Sequence, residues 1–289
     1  MRLVSFEKDG HPAPGLHIGS AVIDLVAAHP GLAHDWPGIL AAGRLEEIRA
    51  FADDAPVDVR LPVDEVRLSA PIADPPKILC VGLNYGAHAE EAGMPVPEHP
   101  IFFIRFASSV VGSNRALVCP KASTQFDYEA EMAVVIGKAA RHVSRAAALD
   151  HVAGYAPFND GSVRDYQLTR GPQWTLGKNF DASGGFGPEI VTADELPPGG
   201  KGLRIVGRLN GEVVQEGTTD DLIFDVAELI HRASEVMTLE PGTVIATGTP
   251  PGVGMARDPQ LWMQPGDRFE VEIEGIGTLS NPVASEDAA

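Results

Sequence analysis

Positive charge is scarce in this chain. Against 22 lysines and arginines stand 40 aspartates and glutamates in 289 residues, a formal net charge of −18. Nucleic acid and anionic membrane both require a basic surface, so neither is expected as a partner. An anionic ligand must then be met by cations placed locally. Cysteine is scarcer still: Cys80 and Cys119 both lie in apolar contexts and fit free thiols in a reducing compartment, so a cytoplasmic location is expected. No apolar run is long enough to span a bilayer, and residues 1–10 lack the apolar core of a signal peptide. A Gly-rich dinucleotide fingerprint, a P-loop and internal repeats are also missing, which argues against a doubly wound nucleotide-binding fold.

What is present is an apolar content of 44% in a chain long enough for one large domain and a small appendage. Residues 1–70 read as a small α+β module, with strands at 2–6, 15–18 and 21–25, a helix near 45–51 and a short strand at 66–69. Pro71 and the Asp74-Pro75-Pro76 cluster mark a boundary, and the strand-like run 77–82 opens a second domain over 71–289. There, Asn210-Gly211 between two extended runs predicts a hairpin, and Phe269, Val271 and Ile273 alternate with glutamates as in a half-buried strand. Asp225 as N-cap, followed by Val226, Leu229, Ile230 and Ala233, predicts one helix. The fold class is α+β with a strand-dominated, rolled or sandwich-like core.

Chemistry concentrates in a few segments. Glu129 and Glu131 lead into the apolar strand Met132 to Ile136 and share one face of it. Side by side, they repel each other and are costly to desolvate unless a cation sits between them. Asp160, where an apolar run ends at Asn159-Asp160-Gly161 and turns into a helix, supplies a third carboxylate. Together they form an all-oxygen set suited to Mg²⁺ or Mn²⁺, with Ca²⁺ as a non-native occupant, and leave coordination positions open for substrate. An exposed strand face with Asp160 as a helix N-cap accounts for the same spacing, and the motif alone does not choose.

His88 and Glu91, at i and i+3 of a short helix, can form a pair in which the carboxylate orients the imidazole as a general base, or a plain surface pair. Lys178 is a lone cation among apolar and small residues, readable as a ligand contact or a snorkelling lysine. Arg164 and Gln167, four and seven residues after Asp160, are expected one and two helical turns along and facing the same cleft. Thr249, in the Gly/Pro loop 247–254, either meets a ligand or belongs to a simple turn.

The ordered set of these segments (82–91, 100–103, 127–131, 159–167, 174–181 and 247–254) resembles the fumarylacetoacetate hydrolase family over residues 77–282. The resemblance implies a mixed β-sandwich roll, a homodimer, and Mg²⁺ or Mn²⁺ held by Glu129, Glu131 and Asp160. It also implies a His88–Glu91 pair on a lid loop, with Lys178, Arg164, Gln167, Thr249 and Tyr85 near a 2-oxo acid substrate. Three positions depart from the family pattern and bear on lid and pocket shape: Gly86-Ala87, Gly161 and Arg105-Phe106.

The activity expected from this resemblance is hydrolysis of the C3–C4 bond of a 2,4-dioxo acid, an acylpyruvate or a 2,4-diketo-3-deoxy sugar acid. In it His88 activates water, while the metal, Lys178 and Arg164 offset negative charge. Oxaloacetate decarboxylation and isomerisation of a 2-hydroxy-dienoate use the same electron sink. A non-catalytic carboxylate-binding protein is the contrasting class, and it has no need of a base.

Overall fold

The computed structural model describes residues 1–52 and 55–288. Residue 289, the end of the expected second domain, lies outside them. The chain is a strand-dominated α+β protein built on two large open sheets, with a third of only two strands. The larger has 13 strands, and its main path runs from Arg60–Pro62 through Ala21–Asp24, His11–Ile18, Arg2–Lys8, Ile190–Thr192, Val152–Asn159, Ala130–Ile136, Val244–Ala246 and Ile78–Gly82 to Ile101–Arg105. Most neighbours are antiparallel, but Val244–Ala246 runs parallel to Ile78–Gly82, so the sheet is mixed. The second sheet has five strands, in the order Glu212–Thr218, Arg204–Leu209, Arg268–Ile273, Gly277–Ser285 and Leu117–Cys119.

The central strand Ala130–Ile136 is buried along its whole length because both its faces are covered. Met132, Val134 and Ile136 pack with Tyr155, Ile205 and Val271 between the two sheets. Ala133 and Val135 point the other way, into a core capped by Trp36, Ile39 and Ile48 of the N-terminal helices. A strand covered on both faces reads as a continuous apolar run, which is how residues 132–136 read. Each large side chain buried here contributes about 1.5–3 kcal/mol.

The first strand joins the same large sheet, since Arg2 and Leu3 pair with Val191 and Ile190. Trp36 donates its indole N–H to the Val4 carbonyl at 2.7 Å and ties the helix Trp36–Ala41 to that strand. Sequence pattern missed this helix, because its tryptophan and proline disguise a single turn and a half.

Other expected elements are in place. Asn210 and Gly211 both have positive φ, 53° and 86°, the geometry of a two-residue hairpin turn. The helix Val226–Val236 is capped by Asp225, whose side chain accepts from the Glu228 N–H at 2.9 Å. No helix among the described residues is long and apolar enough to cross a membrane. Replacing Asp225 with alanine removes that cap and should cost about 1 kcal/mol. In a thermal melt the transition should fall by about 2–4 °C with turnover unchanged.

Candidate active site and metal centre

Two strand ends deliver the acidic cluster. Glu131 lies in the central strand and Glu129 just before it, held in register by donating its N–H to Asn159 Oδ1 and accepting from the Asp160 N–H. Asp160 follows the neighbouring strand Val152–Asn159, so pairing of the two strands brings all three carboxylates together. One oxygen from each lies within 4.8 Å of the others, and all three residues are buried.

The helical spacing expected from Asp160 to Arg164 and Gln167 is not what connects them. Ser162–Val163 forms a short strand paired with Phe126–Asp127, and the helix begins only at Arg164, with Val163 in the cap position. Strand pairing therefore brings Arg164 back to the acidic cluster. Its Nη1 lies 2.8 Å from Glu129 and donates to Gln167 Oε1 at 2.9 Å, while Nε donates to Asp127 at 2.8 Å.

Lys178 is no snorkelling residue. It is 1% exposed and donates to Glu129 and Asp160, both at 2.7 Å. Burial pushes Glu129 up, but Lys178 and Arg164 overcome it and hold it near about 2. Glu131 has no such partner: it accepts the Gly248 N–H at 2.8 Å, and burial, then Asp160 and Glu129, drive its pKa well above the ordinary carboxylate range. Asp127, Glu129, Glu131 and Asp160 together outnumber Arg105, Arg164 and Lys178, leaving one buried carboxylate uncompensated. A hard divalent cation fits this set: oxygen donors alone, crowded together, with Glu131 lacking a counter-charge.

His88 and Glu91 occupy the helix Gly86–Glu91, with Nδ1 2.8 Å from Glu91 Oε1. Glu91 is fixed in turn by the Gly252 N–H, at 2.9 and 3.1 Å from its two oxygens. His88 Nε2 has no protein partner among the described residues, and the ring borders a cavity of about 150 Å³ shared with Glu129, Glu131, Lys178, Arg164 and Gln167. The rest of the lining is largely apolar: Leu83, Met94, Phe103, Leu168, Trp174 and Met255.

Two of the expected ligand contacts present no free polar group to the cavity. Thr249 borders the cavity, but its hydroxyl donates to the Ala130 carbonyl and accepts from Gln215. Tyr85 is 1% exposed, lies outside the cavity lining, and has a hydroxyl with no hydrogen-bond partner among the described residues.

Two charged residues belong to the centre beyond those the sequence singled out as site residues: Arg105, noted only as a departure from the family pattern, and Asp127. Arg105, fully buried, donates to Asp160 Oδ1 at 2.6 Å, to the Gly161 and Ser109 carbonyls, and to the Ser109 and Ser183 hydroxyls, using all five donors. Its signal was an arginine inside the apolar run 101–106 of an acidic chain. Gly161 is explained by the same packing, since a Cβ there would stand 1.9 Å from the Ser183 carbonyl oxygen. Asp127 is the second, and it stands two residues before Glu129 in the same alternation.

Fold and site thus define an enzyme-like acidic cavity, framed by a carboxylate triad and an imidazole–carboxylate pair. The model of the fumarylacetoacetate (FAA) hydrolase C-terminal domain matches residues 77–284, and the chain belongs to the fumarylacetoacetate hydrolase family of enzymes. It is 42% identical over 291 residues to the human mitochondrial oxaloacetate tautomerase FAHD2A, covering 98% of this chain and 91% of that protein. The fumarylacetoacetate hydrolase from Exiguobacterium antarcticum superposes with a TM-score of 0.83 at 36% identity, covering 99% of this chain and 100% of that one. Maleylpyruvate hydrolase from Sphingobium sp. SYK-6, solved with manganese(II) and pyruvate, gives 0.80 at 30% identity, covering 99% of both chains.

Because Glu131 must lose its proton to bind a cation, ion binding should release a proton. Mn²⁺ affinity, followed by electron paramagnetic resonance, should weaken as pH falls, beginning well above the ordinary glutamate value of about 4.3. Glu131→Gln should weaken it at least roughly tenfold and abolish the proton release; unchanged Mn²⁺ binding would remove the triad as the metal centre.

Proposed function

We propose that this chain catalyses keto–enol proton transfer on a short 2-oxo acid, with oxaloacetate as the substrate class. The observation that carries the reading is His88: a base oriented by Glu91, with Nε2 free, at a small cavity that it shares with Glu129 and Glu131 of the acidic triad. Proton transfer needs only one base and a stabilised enolate. The cavity is small, about 150 Å³, which suits a short acid better than a long acyl chain. The likeness to an oxaloacetate tautomerase along nearly the whole chain supports the same choice.

A divalent ion held by Glu129, Glu131 and Asp160 would act as a Lewis acid toward negative charge on the substrate's 2-oxo oxygen. The protein's own groups do the rest. Glu91 holds the Nδ1–H of His88, so Nε2 takes the C3 proton and delivers it to the 2-oxo oxygen, and carries a proton the other way in the enol-to-keto direction. Lys178 offsets the charge that develops near the triad. Arg164 and Gln167 receive the far carboxylate: Arg164 Nη2 is a buried donor with no hydrogen-bond partner among the described residues, and such a donor is costly to leave unmade. The apolar wall keeps bulk water from the enolate.

Hydrolysis of the C3–C4 bond of a 2,4-dioxo acid is the second reading. It is favoured by the manganese- and pyruvate-bound maleylpyruvate hydrolase and by a wall of Met94, Leu168 and Trp174 that suits an apolar acyl group. A homodimer belongs to the proposal as well, supported by the exposed apolar side chains Ile101, Ile104, Phe106 and Leu176. So does a cytoplasmic setting, supported by two free cysteines.

Wild-type enzyme loaded with Mg²⁺ or Mn²⁺ should speed enol-to-keto conversion of oxaloacetate, and EDTA should abolish the effect. His88→Ala should lower the rate roughly 10²- to 10⁴-fold while Mn²⁺ binding persists. Pyruvate plus a carboxylic acid from acylpyruvates, at higher kcat/KM than oxaloacetate conversion, would transfer the assignment to hydrolysis. Release of CO₂ from oxaloacetate as the faster reaction would transfer it to decarboxylation.

A further inference from the structure

Asp127 touches neither the cavity nor the triad, yet its carboxylate is the meeting point of everything around them. The side chain is fully buried and accepts four hydrogen bonds. Oδ1 takes the N–H groups of Tyr128 at 2.9 Å and Gly254 at 2.7 Å, and Oδ2 takes the Met255 N–H at 3.0 Å and Arg164 Nε at 2.8 Å. These donors come from three separate segments. Gly254 permits the approach, since a Cβ there would fall 2.6 Å from Oδ1.

Two consequences follow from this geometry. With Nε fixed by Asp127 and Nη1 by Glu129 and Gln167, the planar guanidinium has one allowed orientation, and Nη2 is the donor left over. The loop that Asp127 grips at Gly254 and Met255 is also the loop whose Gly252 N–H holds Glu91, and Met255 borders the cavity. Oδ2 therefore sets the cation that meets the substrate, while Oδ1 keeps its own hold on the loop at Gly254.

We propose that Asp127 is a positioning residue, which aims Arg164 at the far carboxylate of a dicarboxylic 2-oxo acid and makes the site prefer dicarboxylates to pyruvate. This rests on the reading above that Arg164 receives that carboxylate. Asparagine keeps the shape but removes the charge and turns one acceptor into a donor facing other donors, so the guanidinium loses its anchor.

The test compares binding of pyruvate and of 3,3-difluorooxaloacetate, which cannot enolise, to the Mn²⁺-loaded enzyme by titration calorimetry. Wild type should bind the dicarboxylate more tightly; equal affinities would overturn the assignment of Arg164 itself and the present inference with it. Asp127→Asn should weaken the dicarboxylate roughly 10- to 100-fold while leaving pyruvate and Mn²⁺ affinity unchanged, and should raise KM for oxaloacetate far more than it lowers kcat. Asp127→Asn combined with Arg164→Gln should be no worse than Arg164→Gln alone, because both remove one interaction. Retained dicarboxylate preference in Asp127→Asn, equal loss of both ligands and of Mn²⁺, or additive effects in the double variant would overturn the inference. Should Asp127→Asn fail to fold, Arg164→Lys carries the test: it keeps the charge but lacks the fork that Asp127 grips, and wild-type binding by it would overturn the inference.

Discussion

Burial of like charge is the constraint on which this structure depends. Asp127, Glu129, Glu131 and Asp160 all lie beneath the surface within one region, where an unpaired carboxylate is prohibitively costly. Arg105, Arg164 and Lys178 are drawn in to meet them, each ion-paired to at least one. The result is a rigid polar core in an otherwise apolar interior, with Glu131 left to a cation from outside. Replacing a triad carboxylate or Lys178 leaves the others buried and uncompensated, so the triad and its lysine behave as a unit and not as a sum of pairs.

Around that unit the fold separates two tasks. The strands fix the triad, because Ala130–Ile136 and Val152–Asn159 are hydrogen-bonded neighbours in the middle of the large sheet, away from either edge. The base sits instead on a six-residue helix, steadied from a loop through Gly252. An ion site needs ligands that hold still, whereas a base beside a substrate cavity must admit and release its ligand; a central sheet and a short helix suit these respective demands. The cavity between them is lined by both charged and apolar side chains, so the charged groups of an acid meet fixed partners and the rest of it an apolar surface.

Much of this is legible in the amino-acid sequence. Glu129-Ala130-Glu131 ahead of an apolar run announces two carboxylates that cannot be buried unaided, and His88 with Glu91 at helical spacing announces a pair. Lys178 was legible as a cation near the site but not as the ion-pair partner of Glu129 and Asp160, because nothing local links residue 178 to 129 or 160. Arg164 and Gln167 were selected on a helical spacing from Asp160 that the chain does not adopt; they reach the site because Ser162–Val163 pairs with Phe126–Asp127. Thr249 and Tyr85 show the converse, since side chains near a site in sequence can have their polar groups committed or buried elsewhere.

The sequence by itself determined most element types and marked the carboxylates and the imidazole–carboxylate pair as candidates, because alternation in strands and three-residue spacing in helices are local geometry. Tertiary structure alone decided which cation meets which carboxylate, that Arg105 and Asp127 belong to the centre, and how much room the cavity leaves. Those outcomes depend on contacts between segments tens of residues apart, such as Arg105 with Asp160 and Gly254 with Asp127. Long-range contacts of that kind follow from how the sheets and loops pack, and no local periodicity records them.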